Sequence, residues 1–340
     1  MPRLKVLHFS GSPHEIGEAF GESCREEIVE LYELRLYNAL DQARRYGGRT
    51  ASEADLLAIA RVSLSAARDH HMDGYDELCG IARGSGLQAE QAMALGGLTD
   101  LRDTLAWGGD LEAGGGCTCF IVQADRSADG RVLCGQTWDL GTDNQPFVVA
   151  VHRRPTGAPE TWCVTTVGCL SLMGVNEHGL ALSTTNLRTL DARAGVPYLN
   201  LVHAALACSD HGSAVASITR AKRAGAHSFC VADGEGRAAM LECTATRHRV
   251  LPIERGSHVH CNHCLIPEHA AMEGDTPRQS SEARIARMRS LLAGCETGHD
   301  FDCLQEHLAD ADGGELAICR DDFGGEFDIG QGGFRGLVGA

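Results

Sequence analysis

Two kinds of hydrophobic spacing divide this chain. In the first third, apolar residues recur every three or four positions. Ser12, Pro13 and Glu15 form a helix start, with an N-cap, proline at the first helical position and a carboxylate at the third. Ile16, Phe20, Cys24, Ile28 and Leu31 follow at helical spacing, and Gly47 and Gly48 end the run. A second helix opens at Ser52 with Asp55 three residues on, carrying Leu56, Ile59, Ala60 and Leu64 on one face. Segments 73–84 and 88–106 predict two more.

From Cys117 the pattern changes to short β-rich runs separated by Gly, Asp and Pro: CTCFIVQAD, RVLCGQTWD, FVVAVHR and ETWCVTTV. The first two predict a hairpin turning at Asp129 and Gly130. LALSTTN, AHSFCVAD, AAMLECT and HVHCN predict further strands, with helices at about 197–208, 213–223 and 280–293. Amphipathic helices before and between strand runs fit sheets covered by helices. The one sharp break in composition is LEAGGGC, at the transition from helix to strand.

Composition narrows the function. The 340 residues carry a formal net charge of -16, with 43% hydrophobic residues. No Lys/Arg-rich run tracks phosphates, so nucleic acid is not an expected partner. No apolar stretch approaches a membrane span, and the first residues turn polar too early for a signal-peptide core. The expectation is a soluble, cytoplasmic protein with no membrane partner. Fifteen cysteines, most of them inside apolar runs, then read as reduced thiols packed as small hydrophobes.

One cysteine stands apart. Gly114 to Gly116 precede Cys117, and glycine leaves its carbonyl open to close approach. An attack by the Cys117 thiol on the Gly116 carbonyl needs that access; a flexible loop before a strand needs the same composition. If the Gly116–Cys117 bond is cut, Cys117 gains an α-amino group with a reference pKa of about 7.7 to 8.0, able to act as base for its own thiol. Such chemistry calls for no metal, no cofactor and no catalytic histidine.

Five stretches in order, SGSPHEIGEAFGE, GGGCTCF, GQTWDL, GVNEHGLALSTTNL and HVHCNHCL, resemble the acyl-coenzyme A:6-aminopenicillanic acid acyltransferase family of N-terminal nucleophile hydrolases. The resemblance covers nearly the whole chain, and NEHGLALSTTN is also similar to the related bile salt hydrolases. It implies an α+β fold of four layers, a sandwich of two stacked, mainly antiparallel sheets between helical layers. It implies autocleavage into a helical fragment, 1–116, and a β-rich nucleophile fragment, 117–340, that stay together as one domain. The activity implied is amide hydrolysis or acyl transfer on a small-molecule amide or acyl-thioester, through a thioester on Cys117.

The same resemblance gives roles to other residues. Asp139 would orient the new amine, although by turn chemistry it simply begins a turn before Gly141. Asn262, and with it Asn186, would steady the oxyanion, although each could instead bond its own backbone at a strand end. Arg284 resembles an active-site arginine, while its helical pattern also fits a solvated charge. Gln136 lies where bile salt hydrolases carry an arginine and could orient substrate. Arg320 is a further family-like position without an evident role.

Two rivals belong to other classes. His258, His260, Cys261, His263 and Cys264 could bind zinc, but on an extended strand only alternate side chains converge: His258, His260, Asn262 and Cys264 on one face, His263 on the other. A non-catalytic binding protein that keeps the fold is the other. Its support is the Gly-rich tail DDFGGEFDIGQGGFRGLVGA, which has few alternating β positions.

Overall fold

The computed structural model describes residues 4–48, 50–106, 116–139, 142–274, 277–295, 298–319 and 336–339. Helix starts follow the sequence signals. The Ser12 hydroxyl accepts the Glu15 N–H while the Glu15 carboxylate accepts the Ser12 N–H at 2.8 Å, opening α1 (Pro13–Ser23). Ser52 and Asp55 do the same for α3 (Glu53–His70). The run expected as one helix is two: it breaks at Cys24 (φ −132°), and α2 (Arg25–Gly47) ends at Gly48 in the left-handed region. The break leaves α1 free to lie against α4 (Met72–Ser85) at backbone contact. A Cβ on Gly17 would sit 2.0 Å from the Glu77 carbonyl oxygen, and one on Gly80 2.2 Å from that of His14. α5 (Ala89–Ala106) completes this helical block.

The first segment is not helical throughout. β1 (Lys5–Gly11) pairs in parallel with β4 (Val148–Pro155), from Lys5↔Val149 to Gly11↔Pro155. It is half-exposed along its length, as an edge strand is, which is why no clean alternation marks it in the sequence. β5 (Thr161–Thr166), β6 (Met173–Asn176), β7 (Ala181–Leu187), β8 (Ala226–Ala232), β9 (Ala238–Cys243) and β10 (His248–Pro252) extend that sheet, antiparallel throughout, to eight strands. The second sheet has four, in the order β11 (Ser257–His260), β2 (Cys117–Val122), β3 (Leu133–Trp138), β12 (Gly336–Gly339). β2 and β3 form the expected hairpin, and Gly130 in its connection takes φ +75°. Of the Gly-rich tail, the described residues Gly336–Gly339 form a strand, because backbone pairing with β3 asks for no alternation of side chains.

Cys119, Ile121 and Cys134 on one face of the small sheet pack with Ala181, Cys230 and Met240 of the large one. Phe120, Val122 and Leu133 on the opposite face pack under the two helices that follow the short α8 (Pro267–Ala270), α9 (Gln279–Gly294) and α10 (Phe301–Leu308), through Ile285, Met288, Leu292 and Leu304. The helical block, with α6 (Tyr198–Leu206) and α7 (His211–Arg220), covers the outer side of the large sheet. The order is therefore helices, sheet, sheet, helices, an α+β sandwich as expected. All fifteen cysteines are free thiols. Among the described residues no helix is long and apolar enough to cross a membrane.

Candidate active site

The hairpin register builds the site. Cys117, first residue of β2, pairs with Trp138, last of β3. One residue further, the Asp139 N–H donates to the Gly116 carbonyl oxygen at 2.8 Å. The residues on either side of the junction are thus held by the end of β3 and by Asp139, the residue after it. The Cys117 side chain points between the sheets and is buried. Its pKa is pushed up to about 12, first by burial and then by the Asp139 carboxylate; Arg284 and a hydrogen bond from the Asn186 backbone pull the other way. In the uncut chain this thiol is protonated at neutral pH and needs a base.

Asn262 and Arg284 close the other side. The Asn262 Oδ1 accepts from the Cys117 N–H at 2.7 Å and from Arg284 Nη2 at 2.8 Å. Its Nδ2 donates to the Asn186 carbonyl at 2.9 Å, which leaves one of its two amide hydrogens available. Arg284 comes from α9, through the small sheet's outer face. Its Nη1 donates to the Cys117 carbonyl oxygen and, at 3.0 Å, to Thr118 Oγ1. At 2% exposure it is not the solvated charge its helical pattern allows. Ser280 and Ser281, one turn before it, hold the Arg284 Nε (3.3 Å) and the Asn262 N–H (2.8 Å).

The sequence-derived candidates thus divide. Cys117, Asp139, Asn262 and Arg284 come together with Gly116. Asn186 joins them through its backbone, whereas its side-chain Oδ1 is buried without a hydrogen-bond partner. Gln136 does not turn toward the junction: it is buried, and its Oε1 accepts the Thr184 N–H at 2.6 Å, linking the two sheets. Arg320, Gly114 and Gly115 lie outside the described residues.

The zinc alternative at 258–264 is corrected by where β11 stops. The strand ends at His260, so the expected face shared by His258, His260, Asn262 and Cys264 does not form. His260 Nε2 meets Glu242 at 3.0 Å, His263 Nδ1 lies 2.7 Å from the Ser281 hydroxyl, and Cys264 donates its N–H to Glu273 at 2.5 Å. Each is committed to a different partner, and no three ligand atoms converge.

One group beside the nucleophile escaped the sequence reading. Asn186 pairs with His227 across β7 and β8. His227 stacks on Tyr198 at 4.2 Å, and the Tyr198 N–H donates to Asp100 at 2.7 Å. Burial pushes the Asp100 carboxyl up to about 8 and the His227 imidazole down to about 3. Their 3.6 Å approach therefore joins a neutral acid to a neutral imidazole and is not an ion pair. No local spacing links residues 100, 198 and 227; only the sheet pairing does. A separate pocket, lined by Tyr32, Arg35, Leu36, Ala94, Leu101 and Asn144, has none of the residues around Cys117 in its wall.

The pattern of a protein family described as acyl-coenzyme A:6-aminopenicillanic acid acyl-transferase matches residues 126–328. The chain is 26% identical over 325 residues, 93% of its length and 85% of the relative's, to "Acyl-coenzyme A:6-aminopenicillanic-acid-acyltransferase 40 kDa form" of Emericella nidulans. Among solved structures, an N-acylethanolamine-hydrolyzing acid amidase ortholog of Caenorhabditis elegans aligns at TM-score 0.44 and 13% identity, over 59% of this chain and 89% of that one. Penicillin V acylase of Agrobacterium tumefaciens aligns at TM-score 0.36 and 12% identity, over 54% and 67%. The layer order given above rests on contacts within this chain.

Proposed function

From the premise that the chain belongs to the acyl-coenzyme A:6-aminopenicillanic acid acyl-transferase family, we propose that it is a self-processing amidohydrolase or acyltransferase whose nucleophile is Cys117. The observation that carries this is the clamp on the Gly116–Cys117 peptide. Its oxygen accepts from the Asp139 N–H at 2.8 Å, and its nitrogen donates to Asn262 Oδ1 at 2.7 Å. The Asp139 N–H is aimed where negative charge develops when the Cys117 sulfur adds to the Gly116 carbonyl carbon. Collapse breaks the C–N bond as the thiol's proton passes to the leaving nitrogen, which becomes the α-amine, and water then hydrolyses the thioester to the Gly116 carboxylate and the free thiol.

The new amine lies beside the Asp139 carboxylate, which orients it, and takes the thiol's proton during turnover. A substrate amide or thioester is attacked at its carbonyl carbon, expels its amine or thiol, and leaves its acyl group on sulfur. The remaining Asn262 amide hydrogen and the Asn186 backbone N–H are the donors nearest the oxyanion, a backbone role for Asn186 in place of the side-chain role expected from sequence. Water or an amine then removes the acyl group. The fragments 1–116 and 117–340 remain one heterodimer, since β1 is built into the large sheet through β4 and the helical block shares that sheet's core.

Intact mass under denaturing conditions tests the scheme. Wild-type protein should give two fragments, the second beginning at Cys117, and an acid quench during turnover of N-acylated amines or acyl-thioesters should add one acyl mass to it. An uncut chain with no acyl adduct on any such substrate would favour a binding protein that keeps the fold. Added amines separate the activities: a transferase gives a new amide, a hydrolase only the acid.

A further inference from the structure

The stretch CETGHDFDCLQEH spaces Cys295, His299, Cys303 and His307 four residues apart, two thiols alternating with two imidazoles. Cys295 caps the C-terminal end of α9, and Cys303 and His307 lie one turn apart on α10. The Cys295 Sγ, a His299 ring nitrogen and the Cys303 Sγ all lie within 4.8 Å of one another. Cys303 Sγ is 3.6 Å from His299 Nδ1 and 3.5 Å from His307 Nε2.

The Cys295 thiol also reaches the Gly298 carbonyl oxygen at 3.2 Å, so the cluster is held by weak sulfur hydrogen bonds whose atoms nonetheless converge on one point. Cys303 has one S–H, yet it faces two imidazole nitrogens and a second thiol. His299 is fully buried, and its Nε2 lies 3.0 Å from the Leu292 carbonyl oxygen. A carbonyl only accepts, so the ring proton is on Nε2 and the Nδ1 lone pair points at the sulfurs, the arrangement that outer partners impose on ligating histidines. The His299 backbone is fixed as well, with its N–H on the Arg126 carbonyl and its carbonyl on the Ala128 N–H, both at 2.8 Å. Zinc bonds of about 2.3 Å to sulfur and 2.0 to 2.1 Å to nitrogen, set tetrahedrally, place sulfur and nitrogen roughly 3.6 Å apart. Both Cys303–imidazole separations match that edge.

We propose that Cys295, His299, Cys303 and His307 form a structural zinc site. Cys295, His299 and Cys303 already converge, and His307, 3.5 Å from Cys303 Sγ, turns in as the fourth ligand; two thiolates and two neutral imidazoles then balance the ion's charge, with both thiol protons released on binding. The four ligands leave no open position, so the ion ties elements together and performs no chemistry on substrate. It joins the end of α9, the start of α10 and the β2–β3 connection. α9 is also the helix that carries Arg284, about three turns earlier.

The test is metal analysis of the full chain purified under reducing conditions and offered zinc. The expected result is about one zinc per chain, with binding weakened on the order of a hundredfold or more in Cys303→Ser and His307→Ala. Cobalt replacement in the wild type should give the thiolate-to-metal and visible bands of a tetrahedral site, a readout that does not depend on the variants folding. Wild type that keeps no zinc and gives no such cobalt bands overturns the proposal. So does a Cys303→Ser protein that binds as tightly as wild type, or a mass two hydrogens lighter showing a Cys295–Cys303 disulfide.

Discussion

Cys117 starts β2 and Cys303 lies in the first turn of α10, both on the small-sheet side of the molecule, and each is surrounded by polar atoms of a different kind. Around Cys117 those atoms belong to a carboxylate, a guanidinium, an amide and backbone groups, and no imidazole takes part. Around Cys303 they are two imidazole nitrogens and a second sulfur. The first environment keeps the resting thiol protonated and, once the junction is cut, puts a base at its own nitrogen for turnover. The second gathers soft lone pairs on one point, which suits a metal ion. What separates the two cysteines is the partners that the fold brings to them.

The comparison breaks most sharply at Cys117 itself. Cys117→Ala should leave the chain uncut and abolish acylation, read by intact mass; a cut Ala variant would mean that another protease does the work. Cys208→Ser, in neither cluster, should process normally. Next in size is Arg284→Lys. A lysine cannot reproduce the fork that reaches the Cys117 carbonyl, Thr118 and Asn262 together, so processing and turnover should each slow on the order of a hundredfold, near two charge-assisted hydrogen bonds at about 1.5 kcal/mol each. Single-turnover cleavage of a refolded precursor measures it, and a normal rate would return Arg284 to a packing role.

Asp139→Asn should be milder. Removing one charge-assisted bond to the amine costs about 1.5 to 3 kcal/mol, a slowing of tenfold or more, with little change in melting temperature. Its pH–rate profile should shift to lower pH, because a carboxylate beside an amine raises the amine's pKa. An unshifted profile removes Asp139 from the base's surroundings.

The smallest effect concerns Asp100, bonded to Tyr198 and near His227 and outside the proposed chemistry. Its folded pKa, about 8, is raised by burial above the ordinary 3.8. The stability this group supports is therefore complete below the unfolded value and declines as pH rises through about 8, where the fold must bury a charge. Asp100→Asn should flatten that loss, which runs from the ordinary carboxylate value up to about 8, in denaturant titrations. An unchanged slope between pH 6 and pH 9 would show that the carboxyl is already ionised in the fold.

Much of the candidate site was legible in the sequence because its parts are local. Gly116 and Cys117 are neighbours, and Asp139 follows a strand that must pair with the one Cys117 begins. One error came from extending a local rule too far. The alternation applied to 258–264 assumed that the strand continued past His260, where the chain bends to bring Asn262 to the Cys117 nitrogen. The interval of four from Cys295 to His307 carried no signal in the sequence, because only Cys303 and His307 share a helix and the other two reach them from the end of α9 and the segment before α10.

The sequence by itself determined the helix starts at Ser12 and Ser52, the β-hairpin after the junction, and the one cysteine preceded by three glycines. These depend on bonds between residues a few positions apart. The tertiary structure alone decided that Asn186 offers its backbone, that Gln136 joins the sheets, that Arg284 is buried behind Cys117, and that Asp100 and His227 meet as neutral groups. Each of those outcomes depends on how two sheets stack and which strand ends meet, and residues far apart in the chain acquire those relations only when the layers close on one another.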